Sequence, residues 1–344
     1  MEVGFFRLLL LTGEKRREKE YMNRKTFAAI VSGLMTSITL TSGMMASAQE
    51  QTYKIGICQL MQHEALELAT KGFQDVVTEA LGDQVSYDIQ NASGEVANCV
   101  SVMNAFLSEE VDLILANSTQ VLQAAVSATA EIPILGTSVT DYPAALDLDE
   151  WTGISGKNVS GTSDCAPLQQ QAEMILELVP DAEEIGLLYC SSEPNSKYQV
   201  DIIKETLLEK GCQAEVKDYT FTGTDDIAAV TTSAVQSCDV IYIPTDNTAA
   251  NNAELIDNIC APAKVPVICG EESVCEACGA ATLTINYYEL GKITGEMALD
   301  ILVNGADISQ MPIRQADQVK KVYVPERCEN TGISIPDDYE VMPE

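Results

Sequence analysis

The sequence predicts an α/β protein built as two doubly wound parallel-sheet lobes. Short β-branched runs alternate with longer helix-patterned stretches from Tyr53 onward. The alternation pauses between Thr140 and Asp164 and then starts again, and neither half carries the glycine fingerprint of a dinucleotide fold.

In the first half, residues 53–59 (YKIGICQ) read as a strand. Residues 63–81 read as a helix with Leu66, Phe73, Val76, Val77 and Ala80 on one face. A strand at 85–89 and a helix at 95–107 follow. Residues 111–116 (VDLILA) are apolar without alternation, the mark of a strand buried on both faces. A helix at 119–130 and a strand at 132–139 complete four strand units with short connections, which require a parallel sheet covered on both sides. The pause at 140–164 holds Pro143 and the only tryptophan, Trp151. In the second half a helix at 166–178 stops before Pro180, a strand follows at 185–190, and a helix at 196–210 ends at Gly211. Residues 214–221, 227–235, 240–244, 250–259 and 265–269 continue as strand, helix, strand, helix, strand. A strand at 280–285 leads into a helix at 287–303.

Ahead of these elements, residues 22–48 read as a cleavable export signal. Asn23-Arg24-Lys25 supplies the basic start, 27–39 is mostly apolar or small, and Ala46-Ser47-Ala48 offers a cleavage site after Ala48. Ser32, Gly33, Thr36, Ser37 and Thr39 make the stretch a poor permanent span. Residues 1–21 read as a start-site misassignment with translation beginning at Met22. Lys15 to Glu20 can be encoded by purines alone, as a bacterial ribosome-binding site would be. An exported chain works in the periplasm or at the cell surface, without cytosolic ATP or NADH.

The full chain carries 20 basic and 52 acidic residues. The first 48 residues hold seven and four of these, so the mature part has a formal charge of −35. Such a surface repels nucleic acid and anionic lipid. Eleven cysteines are an odd number without the spacing of a small stapled scaffold. Cys58, Cys190 and Cys269 lie in apolar strand-like runs, where cysteine acts as a small hydrophobe. Cys275-x-x-Cys278 is the only close pair. It leaves open a local disulfide, idle thiols or an exported redox protein, and is weak evidence for zinc. The chain has no GxSxG, P-loop, GxGxxG or HExxH, and its single histidine, His63, excludes a two-histidine metal site. No catalytic residue, cofactor or metal ligand is assigned.

Polar residues instead cluster just after strand ends, where open parallel sheets bind ligands. The first lobe offers the 59–64 loop with Met61 and His63, then Asn117-Ser118-Thr119, then 137–141 with Ser138, Thr140 and Asp141. The second offers 191–196 with Glu193, Asn195 and Ser196, then Thr245-Asp246-Asn247-Thr248, then Gly270-Glu271-Glu272-Ser273. For any single member, helix capping is as good a reading as ligand contact.

Several of these segments resemble a known family. YKIGICQLMQHEALELATKGF at 53–73, the Val139-Thr140-Asp141 turn, IGLLYCSSEPNS at 185–196, VIYIPTDNT at 240–248 and ATLTINYYELG at 281–291 look like substrate-binding proteins of a bacterial ABC importer family. That family is associated with tryptophan, tyrosine and other amino acids. The resemblance covers residues 53–336. It implies a type I periplasmic-binding-protein fold with a three-crossover hinge, crossing near Gly161, Ile285 and Ile313. Residues 51–160 with 285–312 would form the N-terminal lobe, and 161–284 with 313–344 the C-terminal lobe. It also implies a monomer that delivers a small ligand to an ABC permease with its ATPase. Two departures stand out. No lipid-anchor cysteine lies near the cleavage site, and Thr140-Asp141-Tyr142-Pro143 stands where relatives often show Thr-Asp-Pro.

An amino acid buried in a cleft needs partners for its carboxylate and its ammonium. The helix starting near Thr119, with Ser118 and Thr119, is expected to receive the carboxylate, aided by Ser138 and Thr140. Asp246 is the first expected partner of the ammonium and Glu193 the second, so Asp246→Ala should abolish binding and spare the fold. Tyr142 or Tyr287 could face the ligand side chain or pack in the core. A nucleoside or sugar ligand is the alternative within the same fold.

Overall fold

A computed structural model describes residues 51–316 and 319–342. The export-signal and start-site expectations for residues 1–48 lie outside the described residues. The first sheet is entirely parallel, in the order β11-β5-β4-β3-β1-β2. Its strands are β1 (Tyr53–Gln59), β2 (Val85–Asn91), β3 (Leu113–Asn117), β4 (Ile134–Val139), β5 (Val159–Ser163) and β11 (Arg314–Gln315). Four longer helices cover it: α1 (Glu64–Leu81), α2 (Val96–Ser108), α3 (Thr119–Ala128) and α11 (Tyr287–Leu302). Along β3 the side chains alternate between two cores. Leu113 and Leu115 join Phe73, Val77 and Met297 on one face, while Ile114 and Ala116 join Met103, Phe106 and Leu122 on the other. Both faces are buried, which explains the unbroken apolar run.

The second sheet runs β13-β12-β10-β9-β8-β6-β7. Its strands are β6 (Glu184–Cys190), β7 (Glu215–Phe221), β8 (Val240–Ile243), β9 (Val267–Cys269), β10 (Ala281–Ile285), β12 (Val319–Tyr323) and β13 (Glu340–Val341). All neighbours are parallel except β10 and β12. The helices of this lobe are α5 (Leu168–Leu178), α6 (Pro194–Glu209), α7 (Thr224–Ala234), α8 (Asn247–Asn251), α9 (Ala253–Ala263), α10 (Glu272–Cys278) and α12 (Pro325–Thr331). Leu187, Ile203 and Tyr242 pack on one side of the sheet; Leu188, Ile241 and Ile256 pack on the other.

The expected pause at 140–164 is in fact structured. It contains the one-turn helix α4 (Tyr142–Ala145) and strand β5, which lies between β11 and β4. β5 reads VSGTS, too polar and too glycine-rich to signal a strand, yet every residue in it is buried. Hydroxyls satisfy one another there: Thr162 Oγ1 lies 3.2 Å from Thr137 Oγ1 and 2.8 Å from Thr294 Oγ1. Gly161, at φ +142°, has no room for a side chain, because a Cβ would strike Gly136 O and the Tyr142 hydroxyl. Tyr142 donates that hydroxyl to Thr162 O at 3.1 Å and is core packing, not a cleft residue.

The changeovers between sheets fall slightly later than expected. β5 keeps the chain in the first sheet to Ser163 rather than Gly161. β11 keeps it there to Gln315 rather than Ile313, because its two residues still pair with Thr162 and Ser163. The middle changeover follows Ile285, after which α11 lies against α1. Gly72 and Gly291 permit that approach, since a Cβ on either would collide with a backbone carbonyl of the facing helix.

Candidate functional site

The strand ends of the two sheets face each other across a cleft that is almost shut. A cavity of about 10 Å³, room for one water, remains at its centre. His63, Ala65, Leu66, Ser138 and Thr140 line it from the first lobe. Asp164 and Tyr287 line it at the hinge, and Asn195, Thr245, Asp246, Asn247, Ala250 and Glu271 from the second lobe.

Six of the thirteen residues singled out in the sequence thus meet there beside Tyr287: His63, Ser138, Thr140, Asn195, Asp246 and Asn247. The other six do not line the cavity. Ser118 caps α3, accepting from Val121 N at 3.4 Å, and Thr119 is buried behind it, so the start of α3 is not presented to this space. Asp141 caps α4 through Ala144 N, and its burial pushes the carboxyl up. Ser196 donates to Asp246 Oδ2 at 2.8 Å. Met61 and Glu193 line a wider groove of about 760 Å³ outside the cavity.

The sources of their donors separate the carboxylates. Asp246 accepts from Cys190 N at 2.7 Å, from Ser196 Oγ and from Ala249 N at 2.8 Å, all within the second lobe. Burial, then Glu193, raises its pKa, and the three donors oppose that rise. Glu193 is equally committed: Thr248 N and Oγ1 reach Oε1 at 2.8 Å, while Asn247 N and Nδ2 reach Oε2 at 3.0 and 2.7 Å. Glu271 caps α10 through Val274 N and Ser273 N. The two expected ammonium partners are therefore the internal braces of one lobe.

Asp164 differs. It follows β5 at the first changeover, and its oxygens accept from the hydroxyls of Thr140 and Tyr287, each at 3.0 Å, with its own backbone N–H as a further donor. Burial lifts its pKa to about 6 against those three hydrogen bonds. Sequence reading missed it because β5 itself was missed; the pattern "polar residue after a strand" would have found it. Three buried polar atoms around the cavity have no partner among the described residues: His63 Nδ1, Ser138 Oγ and Asn195 Oδ1. Ser138 is also held at φ +53°, an uncommon backbone for a residue with a side chain.

At the cleft's edge α1 and α10 touch. Burial of Glu64, and after it the facing carboxylates of Glu276, Glu271 and Glu272, push the Glu64 carboxyl up. All eleven cysteines are free thiols. Cys275 and Cys278 are buried on α10, and no cluster of His, Cys, Asp and Glu among the described residues could hold a metal ion. No helix among the described residues is long and apolar enough to cross a membrane.

Residues 54–344 match the sequence model of a family described as ABC transporter substrate binding protein. The chain belongs to that family. This binding protein is 32% identical over 312 residues to the tyrosine-binding protein of Clostridioides difficile strain R20291, covering 87% of this chain and 89% of that one. Among solved structures, an L-Trp complex from Streptococcus pneumoniae is 31% identical with a TM-score of 0.78, over 83% of this chain and 97% of that one. The ligand-free, open structure of a substrate-binding protein with adhesive properties from Clostridium difficile is 35% identical with a TM-score of 0.63, over 85% and 100%. The liganded relative superposes better despite its lower identity, in keeping with lobes drawn together. A type I fold with two parallel-sheet lobes is thus established for this chain, and its role is that of an ABC substrate-binding protein.

Proposed function

We propose that the protein captures a free aromatic amino acid between its lobes, without altering it, and presents it as a monomer to an ABC permease with its ATPase. The observation that carries this reading is the set of three unpartnered buried polar atoms, drawn from both lobes, around a cavity that the buried Asp164 borders. Shutting an empty cleft leaves each such atom at a cost of about 1–3 kcal/mol. A ligand that pairs them makes closure favourable, so closure is linked to occupancy. Among the described residues, no lysine or arginine lines the cavity. Asp164 therefore calls for a cationic ligand group, which an amino acid's ammonium supplies and a neutral sugar does not. The Ser138 hydroxyl donates to the ligand carboxylate, and Asn195 Oδ1 accepts a remaining ligand N–H or O–H. An amino acid exceeds the present cavity, so the lobes must part to admit it.

The tryptophan and tyrosine of the relatives' names support an aromatic ligand. Structural neighbours with bound L-rhamnose or 5-methylthioribose are 14% and 12% identical and share the fold alone. Export by a leader starting at Met22 and cleaved after Ala48 completes the reading. A thermal-shift series with L-tyrosine, L-tryptophan, L-alanine, ribose and uridine tests it, because a ligand of the native state raises the melting temperature. The aromatic amino acids are expected to raise it most. A rise with ribose or uridine and none with the amino acids would overturn the proposal.

A further inference from the structure

We infer that the hydrogen bond from His63 to Asn247 is the gate between the ligand cavity and the outer groove, and that its breaking limits ligand release. The inference rests on the ligand reading above for its kinetic part. The cavity and the groove share three chain segments as their partition. Met61 and Gln62 line the groove and His63 the cavity; Glu193 lines the groove and Asn195 the cavity; Thr248 lines the groove and Asn247 the cavity. Across that partition His63 Nε2 lies 3.1 Å from Asn247 Oδ1, joining one lobe to the other.

Both ends of the bond are held by their own lobes. Asn247 gives its Nδ2 to Glu193 Oε2 at 2.7 Å and its backbone N–H to the same oxygen at 3.0 Å. The amide is thereby oriented with Oδ1 toward the cleft. His63 Nε2 must then be the donor. On the other side His63 O accepts from Glu67 N at 3.1 Å in the first turn of α1, which fixes the residue at the helix start. His63 Nδ1 is left buried and unpartnered beside the cavity. One ring therefore meets the opposite lobe with one nitrogen and the ligand space with the other. A second bond across the cleft, from Gln120 Nε2 to Ser192 O at 3.1 Å, is exposed, and water competes for it.

The gate makes Asn247 and His63 positioning residues for closure. In the full chain, Asn247→Ala and His63→Phe are expected to speed L-tyrosine dissociation about tenfold in stopped flow, with the association rate within about twofold of wild type. His63→Gln keeps an N–H donor and is expected to recover part of the loss. Gln120→Ala is expected to change dissociation less than threefold. Small-angle scattering of the chain saturated with L-tyrosine is expected to show a larger radius of gyration for Asn247→Ala. Dissociation within twofold of wild type for both Asn247→Ala and His63→Phe would overturn the gate. If the wild-type chain binds no aromatic amino acid, the ligand reading and its linkage of closure to occupancy fall, and scattering of the ligand-free chain decides: an unchanged radius for Asn247→Ala then overturns the gate as well.

Discussion

Asp164 and Asp246 border the same cavity and both are buried, yet their surroundings are opposite. Asp246 has three donors from its own lobe, two of them backbone N–H groups that α8 and the end of β6 would otherwise leave open. Asp164 has two side-chain hydroxyls, one of them from Tyr287, which lies just past the second changeover. Neither acid has a positive charge beside it: burial lifts Asp164 to about 6, and burial with Glu193 lifts Asp246 to about 8. The difference is that the donors of Asp246 all come from one lobe, whereas those of Asp164 come from segments at the changeovers. Burial raises both carboxyls, so it does not tell them apart; the segments that supply their donors do.

The largest expected effect comes from removing the acid at the changeovers. Asp164→Asn should weaken L-tyrosine binding at least about 100-fold, since a buried ammonium loses its counter-charge. The same change should stabilise the ligand-free protein at pH 7.5 by up to about 3 kcal/mol, the equivalent of lifting a carboxyl from 3.8 to about 6. Calorimetric titration and urea unfolding read the two effects, and a loss of stability would remove the distinction from Asp246. Asp246→Ala should behave in the reverse way. It should cost about 3 kcal/mol of unfolding free energy by orphaning the Cys190 and Ala249 amides and the Ser196 hydroxyl. A variant of normal stability that binds nothing would restore Asp246 as the ammonium partner, as residue type alone suggests.

pH separates the two states of one carboxyl. Because the folded pKa of Asp164 is raised, its contribution to ligand-free stability is full below about 3.8 and is lost as pH rises through about 6. Ligand binding needs the ionised form, so affinity should fall about tenfold per pH unit below 6. Melting curves with and without L-tyrosine between pH 5 and 7.5 should therefore converge as the solution is acidified. Parallel curves would assign the ammonium elsewhere. The smallest effect is expected of Ser138→Ala: about fivefold in affinity, with stability unchanged or raised by about 0.5 kcal/mol, since an unpaired buried hydroxyl is removed.

What the sequence discloses follows from where burial comes from. Runs such as Leu113–Asn117 in β3 announce themselves because both faces are apolar. β5 stays hidden because its burial depends on Thr137 and Thr294, which arrive from other elements. β12, with Lys320 and Lys321 beside Val319 and Val322, lacks the continuous apolar run of the inner strands and went unassigned. The ligand-side loops were legible as polar clusters after strands. Their division of labour was not, because capping by Asp246, Ser118 and Glu271 and ligand contact by Ser138 use the same residue types. Only the partner of each oxygen tells them apart.

Glu64 and the acids around α10 give closure a mechanical character. Where α1 meets α10 the lobes come together acid against acid, and burial first, then the neighbouring carboxylates, holds the Glu64 carboxyl up, so closure at this edge works against like charge. Dissolved salt softens exposed charge far more than it does a buried ion pair. Raising ionic strength should therefore tighten ligand binding, so that the ionic medium acts as a tension setting on the hinge.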